Sequence, residues 1–424
     1  MAIQGKEGER RGSGRSPLLF IFLTVFIDLL GFGIVLPLLP VYSKAYGANE
    51  VTLGLLFSCF SGMQFFFAPM WGRISDRIGR RPVLIGGLVG TAASYALFAF
   101  AHSLPLLFAS RLLAGFFGAN ISTAQAYIAD VTTPENRSKE MGLIGAAFGL
   151  GFTLGPLLGG ELTTLSPMAP GFFACGLSLC AALFGYLRLP EPARSGSGSR
   201  VFHASQLKRA LGEPRISSLM LLTFLSVVAF GSFEAMFTRF GLARFPKIFH
   251  LDGPLNDASL EQIMAAAPVA GRYLAGVGVI SALIQGGLIR RLVPRFGETT
   301  LTIAGPAILG LSLCVVGVGG VLESWGLVIT GCILLPVGFG LNNPALTGLV
   351  SRASPIEEQG SFLGINQSIS SLARMSGPPI AGLCFKQFGP QSPFFVAALV
   401  LGCATLVAVR YKQRFGASFA PRAV

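Results

Sequence analysis

The sequence predicts an all-α integral membrane protein of twelve transmembrane helices in two pseudo-symmetric six-helix bundles. Three observations predict it. Hydrophobic residues make up 52% of the 424 and charged residues only 12%, about half the charge a soluble domain carries. Apolar runs of about 20 residues, the length that crosses ~30 Å of hydrocarbon, follow one another with short polar breaks. Parts of the first half also recur in the second at a nearly constant offset.

In chain order, the first sixteen residues form a polar, basic tail with Lys6, Arg10, Arg11 and Arg15. The apolar run from Pro17 to Tyr42 is too long for a signal-peptide core and has no small-residue cleavage site after it, so it predicts an uncleaved first span. Further spans are predicted at 51–71, 82–102, 105–129, 140–161, 170–188, 217–239, 270–289, 299–320, 326–350, 360–386 and 391–410. The longest polar stretch inside the chain, 190–216, contains Arg-Ser-Gly-Ser-Gly-Ser-Arg at 194–200, a flexible-linker composition. It divides a bundle at 17–189 from one at 217–410, leaving 411–424 as a C-terminal tail. The 55 Gly and 26 Pro fit close helix packing in lipid, where neighbouring helices re-satisfy broken backbone bonds.

The repeat supports the division. Phe117-Gly118-Ala119-Asn120 returns as Phe339-Gly340-Leu341-Asn342, and Gly155-Pro156 as Gly377-Pro378, both 222 residues on. Pro134 and Pro355 repeat one residue out of step. This pattern predicts parallel repeats about an axis normal to the membrane.

The net charge of +13 invites a nucleic-acid reading, which the distribution of charge excludes. Of the 32 Lys and Arg, 24 fall in the two tails, the linker and the loops on the same side. That asymmetry predicts both termini and the linker in the cytoplasm. The seven cysteines lie in apolar runs and form no metal-type pair, and the three histidines are scattered. No metal site, cofactor or enzymatic centre is predicted, and the expected partners are lipid, a small solute and protons, with the chain a monomer.

Two motifs stand out. The 2–3 loop reads Gly72-Arg73-Ile74-Ser75-Asp76-Arg77-Ile78-Gly79-Arg80-Arg81-Pro82. Gly72 is expected to permit close approach to another helix, Asp76 to cap the positive end of a neighbouring helix, and Arg77, Arg80 and Arg81 to hold the loop at an anionic surface. In span five, Gly145, Gly149, Gly155 and Gly159 recur near one-turn spacing and predict a groove for a facing helix, with Pro156 bending its end. Charges at membrane depth are costly and so are functional candidates. They are Asp28 in span one, Arg111 in span four, Glu234 in span seven and Arg374 in span eleven, with Asp28–Arg111 and Glu234–Arg374 as possible buried pairs. Asp130 and Glu161 fall at span ends.

The 2–3 loop, Arg111 in Ser110-Arg-Leu-Leu-Ala-Gly115, Ala126-Tyr-Ile-Ala-Asp130 and Gly155-Pro-Leu-Leu-Gly-Gly160 resemble the signature motifs of the major facilitator superfamily, most nearly its twelve-helix tetracycline/proton antiporters. Phe26-Ile-Asp28 with Gly31, Gly33, Pro37 and Pro40, and Gln64 before Ala68-Pro69, are similar too. The resemblance is dense over 17–160 and thinner beyond. It implies the major facilitator fold, with spans one, four, seven and ten lining a central cavity, Gln64 near it, and a span-five motif associated with antiport. Three departures concern membrane-depth polar groups: Ser94 stands where those exporters carry an acid, Ser281 where they carry a histidine, and span nine has no acid. The function so implied is alternating-access efflux of a small amphiphilic solute or drug against protons. A proton-coupled importer or metabolite facilitator is the nearest alternative, and a non-transporting receptor or scaffold the remote one.

Overall fold

The protein is described here from a computed structural model, over residues 15–118, 120–132, 134–191, 204–255, 257–355 and 359–416. The tails up to residue 14 and from 417, the 194–200 stretch and Ala119 lie outside them. The first bundle comprises α1 (Arg15–Ala45), α2 (Glu50–Ile78), α3 (Arg80–Ala99), α4 (Leu104–Phe117), α5 (Asn120–Val131), α6 (Pro134–Leu162) and α7 (Ala169–Arg188). After α8 (Ala204–Gly212), the second comprises α9 (Pro214–Arg244), α10 (Leu260–Leu283), α11 (Ile289–Phe296), α12 (Glu298–Val321), α13 (Trp325–Ala353), α14 (Gln359–Phe388) and α15 (Ser392–Phe415). Counting α4 with α5, and α10 with α11, as one span each gives the twelve expected spans.

Nine helices among the described residues are long and apolar enough by themselves to cross a bilayer. Two of the remaining three spans differ for physical reasons. The fourth is broken at Gly118 into α4 and α5. Helix α14 carries Asn366, Gln367 and four serines from Ser361 to Ser371. Polar residues survive at such depth when the helix packs against protein rather than lipid, and α14 lies along α2 and α9. The third is α6, which lies along α1 and α10 and whose first turns fall outside the residues whose surroundings are described.

Several boundaries depart from the expected ones. The predicted 2–3 loop is mostly helix: α2 continues to Ile78 and α3 starts at Arg80, leaving only Gly79, at φ 111°, to reverse the chain. An L side chain is strained at that φ, which glycine adopts freely. The eighth span begins ten residues early, because a reciprocal capping box between Ser259 and Gln262 starts α10 within a polar segment. It passes through a wide turn at Ile284–Leu288, holding Gly286 and Gly287, before α11. The linker is not wholly irregular either. Helix α8 docks on α9, with Ala210 buried beside Ile216 and Leu219.

Each half has its own apolar core, around Phe20, Leu88 and Tyr127 in the first and around Leu219, Leu349 and Tyr411 in the second. A larger cluster joins the halves, bringing Ile34, Leu38 and Leu53 together with Phe233, Phe237 and Leu274. The principal contacts between halves are α2 with α14 and α6 with α10.

Candidate functional site

Asp28 lies near the middle of α1, where Gly31 one turn on leaves room for Tyr95. The Tyr95 hydroxyl rests on Gly31, and both Asp28 and Arg111 lie within electrostatic reach of it. Arg111 is 2% exposed. Its guanidinium is held over the Phe98 ring at 4.9 Å and the Tyr95 ring at 6.0 Å, and Nε donates to Ser110 Oγ at 3.4 Å. A cation placed over aromatic faces is attracted by their quadrupoles, the more so when desolvated. Nη2 is buried without a hydrogen-bond partner. Arg111 also borders a cavity of about 10 Å³, enough for one water, whose walls include Phe32, Leu36, Phe57 and Phe60. The described ion pairs do not include Asp28–Arg111; a tyrosine and a phenylalanine hold the arginine.

In the second half, Glu234 of α9 is buried with Oε1 unpartnered. Arg374 of α14 is within its electrostatic reach, but the two form none of the described ion pairs, and Arg374 Nη2 donates to Ser371 Oγ at 3.2 Å on its own helix. Phe233 and Phe237 are buried in an aromatic cluster with Phe394 and Trp325.

Gln64 has a backbone role at the break in span four. Breaking a helix in lipid frees carbonyls that must find donors. Gln64 Nε2 donates to the Gly118 carbonyl at 2.9 Å, and Trp71 Nε1 to the Phe116 carbonyl at 2.7 Å. The corresponding site in the second half is unbroken: Asn342 sits within α13 and its Nδ2 donates to Ser226 Oγ at 2.9 Å.

The Asp76 cluster sits on the face where the chain's two ends lie, here the terminal face. Arg80 pairs with Asp76 at 2.6 Å and with Asp130, at the end of α5, at 3.1 Å. It also donates to Ser75 Oγ at 2.6 Å. The start of α3 is capped by Glu191, which accepts from the amides of Arg80 and Arg81 at 2.7 and 3.0 Å, and Arg81 lies over Tyr186. Arg77 is exposed. All of these described partners are in the first half; residues 356–358, which lead into α14, lie outside the described residues. At Gly72 a methyl group would meet nothing within 4 Å among the described residues, so the close approach expected there is not made by them.

On the opposite face, here the far face, the halves are zipped together. Helix α14 seats the Pro378 carbonyl on Gly54 of α2, and the Glu50 carbonyl meets Gly382. Ser58 Oγ donates to the Met375 carbonyl. Along α6, a methyl on Gly160 would lie 2.7 Å from the Ala267 carbonyl of α10, and deeper in the membrane, well away from the far face, Gly149 faces Ala282. Gly155, Gly159 and Pro156 pack on α1 around Gly33 and Ile34, so the glycine helix presents one face to its own half and another across the interface. Pro156 does not end α6, which continues to Leu162. Gly145 lies outside the residues whose surroundings are described. Two cross-half ion pairs complete this face: Arg239–Glu50 at 3.1 Å and Arg272–Glu161 at 2.6 Å. In the sequence these arginines stand out only as basic residues away from the basic tails, linker and loops. The available signal was that this face carries Arg239, Arg244 and Arg272 on the second half and Glu50 and Glu161 on the first.

A family model described as Major Facilitator Superfamily matches residues 21–378 and 307–419. The tetracycline resistance protein, class C, of Escherichia coli is 33% identical over 373 residues, covering 86% of this chain and 88% of the relative. Multidrug resistance protein 1 of Bacillus subtilis (strain 168) is 29% identical, covering 93% and 96%. The solved structure of the human organic anion transporter MFSD10 (TETRAN) superposes with a TM-score of 0.69 at 27% identity over 92% of this chain and 98% of that one. A bacterial homolog of the human lysosomal transporter Spinster reaches 0.73 at 14% identity over 96% and 98%, a likeness of fold. With its twelve spans in two related halves, the chain belongs to the Major Facilitator Superfamily of membrane transporters.

Proposed function

We propose that this chain is a secondary active transporter that exports a small amphiphilic solute in exchange for protons by alternating access. In this reading the terminal face is cytoplasmic and the far face is external. The observation that carries it is the asymmetry of closure. Among the described residues, the two cross-half ion pairs and the tight backbone contacts at Gly54, Gly160 and Gly382 lie toward the far face, whereas the described partners of Asp76 belong to its own half and a methyl on Gly72 would meet nothing within 4 Å. Helices α5 and α11, nearest the terminal face, pack mainly within their own halves. A molecule zipped on one side and loose on the other is one limb of a rocking cycle.

Asp28 and Glu234 supply one membrane-depth acid per half. In this reading one of these carboxylates takes up a proton on one side and releases it on the other as the halves rock. In the complementary state, Asp76 exchanges Arg80 for the start of α14. The names of the tetracycline and multidrug resistance relatives support export of drug-like solutes. One observation favours a narrower reading of the solute as an anion. Arg111 borders an aromatic-walled cavity with Nη2 lacking a hydrogen-bond partner, and a buried charged donor left unsatisfied is costly. The name of the MFSD10 neighbour supports the same reading.

The test is flux in proteoliposomes under an imposed pH gradient, against a panel of lipophilic cations, zwitterions and organic anions. Proton-driven movement of at least one class, abolished by a protonophore, is expected. Flux that ignores the gradient for every class overturns the proton coupling, and preference for cations overturns the anionic reading.

A further inference from the structure

We propose that the junction between Glu50 and Arg239 is the gate that holds the far face shut, with Glu161–Arg272 a secondary clasp. The inference rests on the alternating-access reading but not on the identity of the solute or on proton coupling.

Arg239 comes from α9 and is 1% exposed. Its guanidinium grips the turn between α1 and α2, donating from Nη2 to the Ala48 carbonyl at 2.8 Å and to Glu50 Oε1 at 3.1 Å, and from Nε to Glu50 Oε1 at 3.2 Å. A planar fork of this kind fixes geometry in a way a single point charge does not. Glu50 opens α2, so the positive end of that helix holds its carboxylate in place. The same turn is where α14 arrives, with Gly382 against the Glu50 carbonyl and Val51. Three elements of the interface therefore meet at one residue. Arg239 Nη1 is buried without a partner, and parting the halves here would return it to water.

The local charge balance sharpens the role. Lys44, at the end of α1, lies within electrostatic reach of both Arg239 and Glu50. Glu50 is thus the anion within reach of both cations, and removing its charge takes away an attraction while the like charges of Lys44 and Arg239 stay within reach of each other. The second clasp differs. Arg272 and Glu161 are 63% and 40% exposed, and an exposed pair is screened by water and salt and contributes little. Distance alone would rank the pairs the other way, since Arg272–Glu161 is the shorter; burial decides.

Hydrogen–deuterium exchange on the purified full-length protein tests this without labels. Glu50→Gln is expected to raise amide exchange at least threefold in peptides covering 46–58 and 376–384, and to lower it around 72–80 as the terminal face closes. Arg272→Gln should leave the pattern near that of the unaltered protein. Increased exchange on the far face with no change around 72–80 keeps the gate and sinks the alternating-access reading instead. An unchanged pattern in Glu50→Gln, or an equal response in Arg272→Gln, overturns the gate. If Glu50→Gln does not fold, Glu50→Asp, which keeps the charge and shortens the reach, should shift exchange in the same direction by a smaller factor. A folded Glu50→Asp with unchanged exchange would then reduce Glu50 to a folding residue.

Discussion

At the scale of single residues, the question is why a bilayer protein keeps four charges at depth when each costs roughly 2.5–3.5 kcal/mol to insert. The two arginines meet that cost differently. Arg111 leans on the rings of Phe98 and Tyr95, whereas Arg374 stays with a serine on its own helix. A carboxylate fixed to an arginine in every state could never load a proton, so a proton site at Asp28 or Glu234 requires an environment that changes during the cycle. Asp28→Asn, which mimics the protonated acid, is therefore expected to abolish pH-driven net flux while leaving solute binding within about threefold, less than a 1 kcal/mol change. Flux under a gradient and equilibrium binding on the same preparation check this. Glu234→Gln measures the other half: if it alone abolishes coupling, the proton site is there, and if Asp28→Asn keeps full gradient-driven flux, Asp28 is a packing residue.

At the scale of elements, the glycine helix α6 shows what small residues do between backbones. A methyl at Gly155 would lie 2.6 Å from Gly33 Cα, backbone against backbone, where no rotamer change can relieve it. Gly155→Ala is expected to destabilise the first half by about 1–3 kcal/mol, the usual cost of overpacking, visible as a lowered melting temperature. Gly72→Ala is the opposite case. Nothing lies within 4 Å of a methyl there and the residue is helical, so stability should hold or rise by about 0.5–1 kcal/mol. Transport should nevertheless slow, if a helix must close on Gly72 later in the cycle. A Gly72→Ala protein with unchanged turnover would show that nothing does. This contrast also marks what the sequence could convey. Apolar runs, charge asymmetry and the repeat made the twelve spans and two halves legible, because membrane crossing is written in local composition. The break in span four was not legible. It depends on Gln64 and Trp71 reaching over from α2 to satisfy two carbonyls, a relation between distant residues. The far-face ion pairs were hidden for the same reason, since Glu50 and Arg239 are 189 residues apart. The 2–3 segment was misread as a loop because Gly79 alone reverses the chain, where a longer turn was expected.

At the scale of the whole molecule, two faces with different chemistry are joined by twelve spans, and orientation decides which face does what. Lys and Arg crowd the terminal face, and such crowding normally marks the cytoplasmic side. The terminal face should therefore be unreachable from outside intact cells. A cysteine placed at Ser197, in the linker, is expected to resist a membrane-impermeant maleimide until the cells are opened, whereas one at Leu165, which is 77% exposed between α6 and α7, should react at once. The native thiols Cys180 and Cys403 are exposed on membrane-spanning helices, where lipid shields them, and the rest are at least half-covered. Background labelling should accordingly be low. Reaction at Ser197→Cys from outside would invert the topology, and with it the assignment of the far face as external. The same frame sets the expectation for Asp76. In the present state its carboxylate pairs with Arg80 at the edge of the membrane, with the Asp76 side chain 29% exposed. A surface pair of this kind contributes roughly 0–1 kcal/mol, so Asp76→Asn should fold and insert normally. If Asp76 caps α14 when the terminal face closes, the variant loses stabilisation in that state alone. Turnover should then fall severalfold while the far-face-closed state becomes more populated, so exchange protection at Glu50 and Gly382 should rise as flux falls. A well-folded Asp76→Asn protein with normal flux and unchanged protection would leave the Asp76 cluster a structural feature of the first half alone.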